Sequence, residues 1–137
     1  MALATSLADL KVILVEPSST QAHLVTRMLQ ELGVGEIEAC TTAAEALKLV
    51  AGYGRLKVVL SALYLPDMPG TELVAALREN EQTESLPFIL ISSETRPQVL
   101  DPVRQSGACS IIAKPFTVKQ LERALFAAAA YLKPPQD

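Results

Sequence analysis

Four short stretches of the sequence lie where an α/β domain usually places its chemistry, directly after runs of apolar residues. They are Glu16-Pro17, Ser61-Ala62-Leu63, Ser92-Ser93 and Lys114-Pro115. Together they supply a carboxylate, several hydroxyl groups and an ammonium group, which are donors and acceptors suited to a phosphate or metal site. Ala62 is the exception, because its methyl group has no oxygen that can act as a nucleophile.

The apolar runs before these stretches predict a parallel sheet. Strands are predicted at 11–15, 36–40 (a short edge strand), 57–61, 87–91 and 110–113. Segments with helical periodicity lie between them, and three begin with the capping pairs Ser18/Gln21, Thr42/Glu45 and Thr117/Gln120. Strands that alternate with helices form a parallel sheet with helices on both faces. The ligand site of such a sheet lies at the carboxyl ends of its strands, where the four stretches fall.

Two prolines interrupt the helical pattern of the segment at 92–107. Pro97 suits the first turn of a helix, where its missing N–H would have no partner within the helix. Pro102 removes a donor from the helix interior, so we expect this helix to be bent, short or weak.

The composition narrows the class of protein. The chain has 137 residues, half of them hydrophobic, which is enough for one domain with a sizeable core. Its net charge of −3 argues against non-specific binding of nucleic acid. Cys40, Cys109 and a single histidine make a poor set of zinc ligands. Because no signal peptide and no membrane-spanning run is visible, we expect a cytoplasmic protein with reduced cysteines and no membrane contact.

The sequence resembles the receiver domain of bacterial response regulators over essentially residues 11–132. Three motifs carry the resemblance, namely LSALYLPDMPG at 60–70, ILISS at 89–93, and Gly107-Ala108 followed by Lys114-Pro115-Phe116. The resemblance implies a flavodoxin-like fold, with a doubly wound, five-stranded parallel sheet built from five βα units. We expect an N-terminal extension at 1–10, a receiver domain at 11–132, and a linker or chain end at 133–137.

The resemblance also implies roles for particular positions. In the family, an acidic pair after the first strand helps to hold Mg²⁺, and an aspartate at the end of the third strand accepts a phosphoryl group. A hydroxyl residue and a lysine contact the phosphate, and by position these are Ser92 and Lys114. The acidic pair falls on Glu16 and Pro17, and the acceptor falls on Ala62.

These positions predict that the usual chemistry is missing. Ala62 offers no oxygen nucleophile, and Pro17 offers no carboxylate, so Glu16 alone makes a poor Mg²⁺ site. We therefore expect no bound metal and no cofactor. Asp67 is the nearest aspartate to position 62, and we interpret it as a solvated turn residue. The aromatic switch residue of the family falls on Ile111, which has no ring to move.

Signalling proteins are the partners that the resemblance implies. Histidine kinases and phosphotransfer domains dock on a receiver's first helix, an output domain receives its signal, and many receivers form homodimers, here through residues 95–132. Within the site, we expect Lys114 to contact Glu16 because opposite charges attract at short range. We expect Ser92 to satisfy a backbone group near the end of its strand.

Two functions remain open at this point. The first is a receiver that is not an enzyme and works without phosphorylation, as a module for protein interaction or dimerisation. The alternative is a phospho-accepting receiver whose aspartate was replaced by alanine at position 62 through engineering. A flavodoxin-like enzyme or nucleotide binder is disfavoured, because Glu16-Pro17-Ser18-Ser19 contains no glycine and carries a negative charge that repels phosphate.

Overall fold

Five strands and five helices alternate along the chain in a computed structural model that describes residues 6–52 and 54–131. The strands are β1 (Leu10–Val15), β2 (Glu36–Cys40), β3 (Leu56–Ala62), β4 (Phe88–Ser92) and β5 (Ser110–Ala113). The helices are α1 (Ser19–Glu31), α2 (Ala43–Leu49), α3 (Gly70–Arg78), α4 (Pro97–Gln105) and α5 (Val118–Tyr131). The predicted order of βα units is confirmed.

All strand pairs are parallel, and the order across the sheet is β2-β1-β3-β4-β5. Side chains of a strand alternate between its two faces, so the sheet contributes residues to two apolar clusters, one on each face. One cluster joins the sheet to α1 and α5 and includes Leu14, Leu29, Leu60 and Leu125. The other joins it to α2, α3 and α4 and includes Ile13, Leu73, Leu90 and Val103. The sheet is therefore doubly wound, as the continuous apolar runs predict.

The three predicted capping pairs all begin helices, with the side chain of Ser18, Thr42 or Thr117 accepting a hydrogen bond from the backbone N–H three residues later. Only the last pair is fully reciprocal, because the Gln120 side chain accepts from the N–H of Thr117 at 2.8 Å. At α1 the N–H of Ser18 instead donates to Glu16, at 2.9 Å. The cap of α1 is thus tied to the end of β1.

Two elements begin within the predicted N-terminal extension at 1–10. A 3₁₀ helix covers Leu7–Asp9, and β1 already begins at Leu10. Leu7 and Leu10 are both buried in the α1/α5 cluster, so hydrophobic burial holds this segment against the sheet. The predicted linker at 133–137, together with residues 1–5, 53 and 132, lies outside the described residues.

The helical segment predicted at 92–107 is shorter than its pattern suggests. Ser92 is the last residue of β4, and α4 begins only at Pro97, which occupies the first turn as expected. Pro102 lies inside this nine-residue helix. Among the described residues, no helix is both long enough and apolar enough to cross a membrane.

Candidate functional site

A cavity of about 520 Å³ opens at the carboxyl edge of the sheet, beyond the ends of β1, β3, β4 and β5. Glu16, Ala62, Ser92 and Lys114 all line it, so four of the six predicted site positions come together. Parallel strands bring these residues to one edge although they are far apart in sequence. The other two positions, Pro17 and Ile111, do not line this cavity.

Glu16 is held in place by the end of β1 and the start of α1. Its side chain is only 10% exposed, and one carboxylate oxygen accepts the N–H of Ser18 at 2.9 Å. The other oxygen lies 3.9 Å from the ammonium nitrogen of Lys114. The expected contact between these two residues is therefore present, at the long end of the ion-pair range. Pro17 is exposed at the surface.

Ala62 is the last residue of β3, and its methyl group is partly buried against the cavity. The hydroxyl of the preceding residue, Ser61, is fully buried and donates to the carbonyl of Ala62 at 2.8 Å. Ser61 does not line the cavity. The end of β3 therefore presents no side-chain oxygen to the cavity.

The donor set does not suit Mg²⁺, the metal that the family resemblance implies. Of the three positions that would supply ligands, Pro17 and Ala62 have no side-chain oxygen, and Glu16 already bonds to the N–H of Ser18. The ammonium group of Lys114 lies 3.9 Å from the remaining carboxylate oxygen and would repel a cation. Among the described residues, no three His, Cys, Asp or Glu side chains are grouped as a metal would require.

Ser92 lies at the end of β4 and is almost fully buried. Its hydroxyl oxygen accepts the N–H of Glu94 at 2.8 Å, and the hydroxyl lies 3.4 Å from the carbonyl oxygen of the same residue. Ser92 thus satisfies backbone groups of its own loop, as expected for a serine at the end of a strand.

Lys114 follows β5 directly. Its backbone N–H donates to the carbonyl of Ser92 at 2.9 Å, which extends the pairing of β4 and β5 by one residue. The peptide bond between Lys114 and Pro115 is cis. The side chain is 29% exposed and reaches into the cavity towards Glu16.

Glu94 and Arg96 form an ion pair on the rim of the cavity that the sequence analysis missed. The guanidinium group donates twice to the carboxylate, with both nitrogen–oxygen distances at 2.8 Å. This contact, together with the N–H of Arg96, lowers the pKa of Glu94 to about 2. The pattern E-x-R in an irregular loop follows no helix or strand period, so only the alternation of charge could have suggested the pair.

Asp67 corrects one interpretation of the sequence. Instead of being only a solvated turn residue, it caps α2, with its two carboxylate oxygens each accepting a backbone N–H, from Ala43 and Ala44, at 2.9 Å. These bonds lower the pKa of Asp67, with the contact from Ala43 contributing most. Asp67 does not line the cavity, and both of its carboxylate oxygens are engaged at the start of α2.

Ile111, at the predicted switch position, lies in the second residue of β5 and is half-buried. It packs against the cluster shared by α2, α3 and α4. An aliphatic side chain in this place acts as part of the core of that face, and it has no contact with the cavity.

A second cavity, of about 660 Å³, lies between α1 and the segment that leads from β5 into α5. Its lining is mostly apolar and includes Leu24, Met28, Phe116 and Val118, with Lys114 at the border with the first cavity. The side chain of Leu24 is 55% exposed, and with its apolar neighbours it forms an exposed patch rather than a single exposed residue. We call this feature the α1–α5 groove.

Comparison with known proteins relates the chain to chemotaxis regulators. It is 27% identical over 124 residues to a probable chemotaxis protein CheY of Rhizobium etli, covering 90% of this chain and 95% of that one. It is 26% identical over 117 residues to chemotaxis protein CheY-3 of Vibrio cholerae, covering 85% and 89% of the two chains.

Solved structures share the same fold. The chemotaxis response regulator CheY4 of Vibrio cholerae superposes with a TM-score of 0.74 at 30% identity, covering 83% of this chain and 97% of that one. The receiver domain of a sensor histidine kinase from Pseudomonas aeruginosa PAO1 superposes with a TM-score of 0.78 at 21% identity, covering 87% and 96%. The model of the response regulator receiver domain matches residues 12–126. With the (βα)₅ fold and the cavity at the ends of its strands, this match shows that the chain belongs to the family of response regulator receiver domains.

Proposed function

We propose that this receiver domain takes part in two-component signalling without accepting a phosphoryl group, and that it acts by binding other signalling proteins. The observation that carries the proposal is the methyl group of Ala62 at the end of β3. Of the two carboxylates that line the cavity, Glu16 accepts the N–H of Ser18 and lies 3.9 Å from Lys114, and Glu94 is paired with Arg96. Phosphoryl transfer needs a nucleophile and a way to offset charge on the phosphoryl group, and Ala62 supplies no carboxylate for the first purpose while Pro17 supplies none for the second. The domain is then a binding module rather than an enzyme.

Incubation with acetyl phosphate and Mg²⁺ tests the proposal. The intact mass of the chain should stay unchanged, because Ala62 has no carboxylate at the acceptor position, and the two carboxylates that line the cavity, Glu16 and Glu94, are engaged by Ser18 and Arg96. A chemotaxis response regulator with its aspartate in place, treated in the same tube, serves as the positive control. A gain of one phosphoryl group by the chain would contradict the proposal.

The alternative, an engineered replacement of aspartate at position 62, predicts a different result for a restored variant. If only the nucleophile is missing, Ala62→Asp should regain phosphoryl labelling by itself. If Pro17 is also disabling, labelling should need Ala62→Asp together with Pro17→Asp, because the second change supplies another oxygen ligand for Mg²⁺. The codon at position 62 of the source gene decides directly whether the alanine is natural.

The α1–α5 groove supports a role in protein binding. Exposed apolar surface next to a charged group is typical of an interaction site. The groove offers this combination, with Leu24 on α1, Phe116 before α5, and the ammonium group of Lys114 at its border. It lies on the first helix, where the family resemblance places histidine kinases and phosphotransfer domains, so we propose a protein of that class as its occupant.

A homodimer through residues 95–132 is a second part of the proposal. Phe126 is 47% exposed on α5, and charges of both signs are near it in sequence, at Glu122 and Arg123. A surface with both signs of charge can be self-complementary in a symmetric dimer. Sedimentation equilibrium at several concentrations tests this, and a monomer at all of them would contradict it.

We also propose that the domain works in the cytoplasm and binds no nucleic acid. Cys40 and Cys109 are free thiols, as expected in a reducing compartment. Burial raises the pKa of Cys40 to about 11, so this thiol stays protonated and unreactive. The net charge of −3 disfavours association with phosphate backbones.

A further inference from the structure

The loop between β4 and α4 is closed on itself by side-chain contacts. At its start, the buried hydroxyl of Ser92 accepts the N–H of Glu94 at 2.8 Å and lies 3.4 Å from the carbonyl oxygen of the same residue. One lone pair of this hydroxyl and, at a longer distance, its proton are therefore directed at the loop, although Ser92 also lines the cavity. A group in the cavity that needed the hydroxyl proton of Ser92 would have to draw it away from the carbonyl oxygen of Glu94.

The carboxylate of Glu94 closes the rest of the loop. It accepts the backbone N–H groups of Thr95 at 3.1 Å and Arg96 at 2.9 Å. It also accepts two hydrogen bonds from the guanidinium group of Arg96, each at 2.8 Å. A two-pronged bond of this kind is charge-assisted and fixes the orientation of both partners. The Glu94 side chain is only 17% exposed, although Arg96 is 63% exposed.

These contacts connect directly to the first turn of α4. Arg96 is the residue before the helix, and its carbonyl oxygen accepts the N–H groups of Val99 at 3.0 Å and Leu100 at 3.1 Å. Leu100 is buried in the cluster that joins α4 to the sheet. A change in the position of Glu94 would therefore have to move Arg96 and the start of α4 with it.

We propose that Ser92, Glu94 and Arg96 form a loop lock, which keeps the β4–α4 loop and the start of α4 in one conformation whatever happens in the cavity. The family resemblance implies that the hydroxyl residue is pulled towards a phosphate when the domain switches. Here that hydroxyl is held by its own loop, so α4 presents the same surface to partners at all times. The inference does not depend on whether position 62 accepts a phosphoryl group.

Amide solvent exchange, measured residue by residue by NMR, tests the lock in the whole chain. Glu94→Ala removes the acceptor for two backbone N–H groups, so the amides of Thr95 and Arg96 should exchange about tenfold faster than in the wild type. Arg96→Ala, which alters an exposed side chain, should accelerate the same amides to a smaller extent. The control is Asp101→Ala, which breaks an exposed ion pair with Arg104 on α4 and should leave the loop amides unchanged.

A second measurement tests whether the cavity and α4 are uncoupled, and it needs no phosphoryl donor. Ala62→Asp places a new charge in the cavity, and with the lock intact the NMR shifts of the α4 amides should stay as in the wild type. In the Glu94→Ala background, the same change should move them. Loop amides that exchange at wild-type rates in Glu94→Ala, or α4 shifts that respond to Ala62→Asp alone, would overturn the proposal.

Discussion

At the scale of single residues, Ala62 changes the electrostatics of the cavity as well as its chemistry. With no carboxylate at position 62, Glu16 is the acidic neighbour of Lys114, at 3.9 Å. Two unit charges at this distance attract by about 1 kcal/mol in water and by more where the effective dielectric constant is lower. Their charges cancel, as do those of Glu94 and Arg96 on the rim, so the cavity attracts neither free anions nor cations strongly.

Asp67 shows how a residue near the site can be structural, and its titration gives a prediction. Its hydrogen bonds to Ala43 and Ala44 lower its pKa below the ordinary value of 3.8, so the stabilisation that it provides is complete above that pH and is lost as the pH falls further. We expect Asp67→Asn to lower Tm at pH 7, and the difference from the wild type to shrink as the pH falls below 3.8. Thermal unfolding followed by circular dichroism across this range measures both effects.

The matched control for Asp67→Asn is Asp101→Asn, because Asp101 is an exposed carboxylate that contacts only Arg104 among the described side chains. Exposed ion pairs contribute little to stability, so Tm should change less for this variant. An Asp67→Asn protein as stable as the wild type at pH 7 would show that neither the charge nor the second carboxylate oxygen of Asp67 stabilises the start of α2.

At the scale of the elements, the sequence could predict the strands, the helix starts and the strand ends that meet, as Glu16 and Lys114 do. The apolar run at 11–15 predicted a strand buried on both faces, and the pair Thr117/Gln120 predicted the start of a helix to the residue. The carboxylates of Asp67 and Glu94 lie in loops, where contacts depend on how the chain turns back on itself. Such contacts leave no periodic signal, so their partners could not be predicted.

Arg78 joins three elements through backbone carbonyls, and this gives a second prediction. Its guanidinium group donates to Gly107 after α4, at 3.1 and 2.7 Å, and to Glu84 before β4, at 3.0 Å. Hydrogen bonds to charged groups contribute roughly 1.5–3 kcal/mol net of the exchange with water. Because Arg78 is partly exposed, we expect the low end of this range, so Arg78→Ala should lower the free energy of unfolding by about 2 kcal/mol. Arg78→Lys should recover part of this, because lysine keeps the charge without the planar fork.

Urea denaturation of Arg78→Ala measures this loss against Arg104→Ala, which removes an arginine of α4 whose described contact is one exposed ion pair. The control should change the free energy of unfolding by less than about 0.5 kcal/mol. Position 107 also requires glycine. Its φ of 113° is strained for other residues, and a Cβ there would lie 2.7 Å from the Arg78 side chain. Equal losses in the two variants would mean that Arg78 is an ordinary surface residue.

At the scale of the whole molecule, the cavity at the ends of the strands and the α1–α5 groove beside it are suited to different kinds of ligand. The cavity at the ends of the strands contains paired charges and a closed loop, which leaves little for a small ligand to bind. The α1–α5 groove beside it keeps exposed apolar surface, with Leu24 at 55%. A domain that has alanine at the acceptor position and exposed apolar surface beside the cavity is suited to binding a protein partner, which is the function proposed above.

The last prediction concerns the α1–α5 groove as a docking surface. Each kinase transmitter and phosphotransfer domain encoded by the source genome is tested as a partner by isothermal titration calorimetry. At least one should bind the wild type, and Leu24→Asp should weaken that binding about tenfold or more, because it places a charge where a leucine would be buried. Leu56→Asp is the control, since Leu56 is also exposed, at 42%, but begins β3 away from the groove. Its binding should match the wild type. If no domain in the panel binds, or if both variants bind as the wild type does, the groove is not the docking surface for proteins of this class.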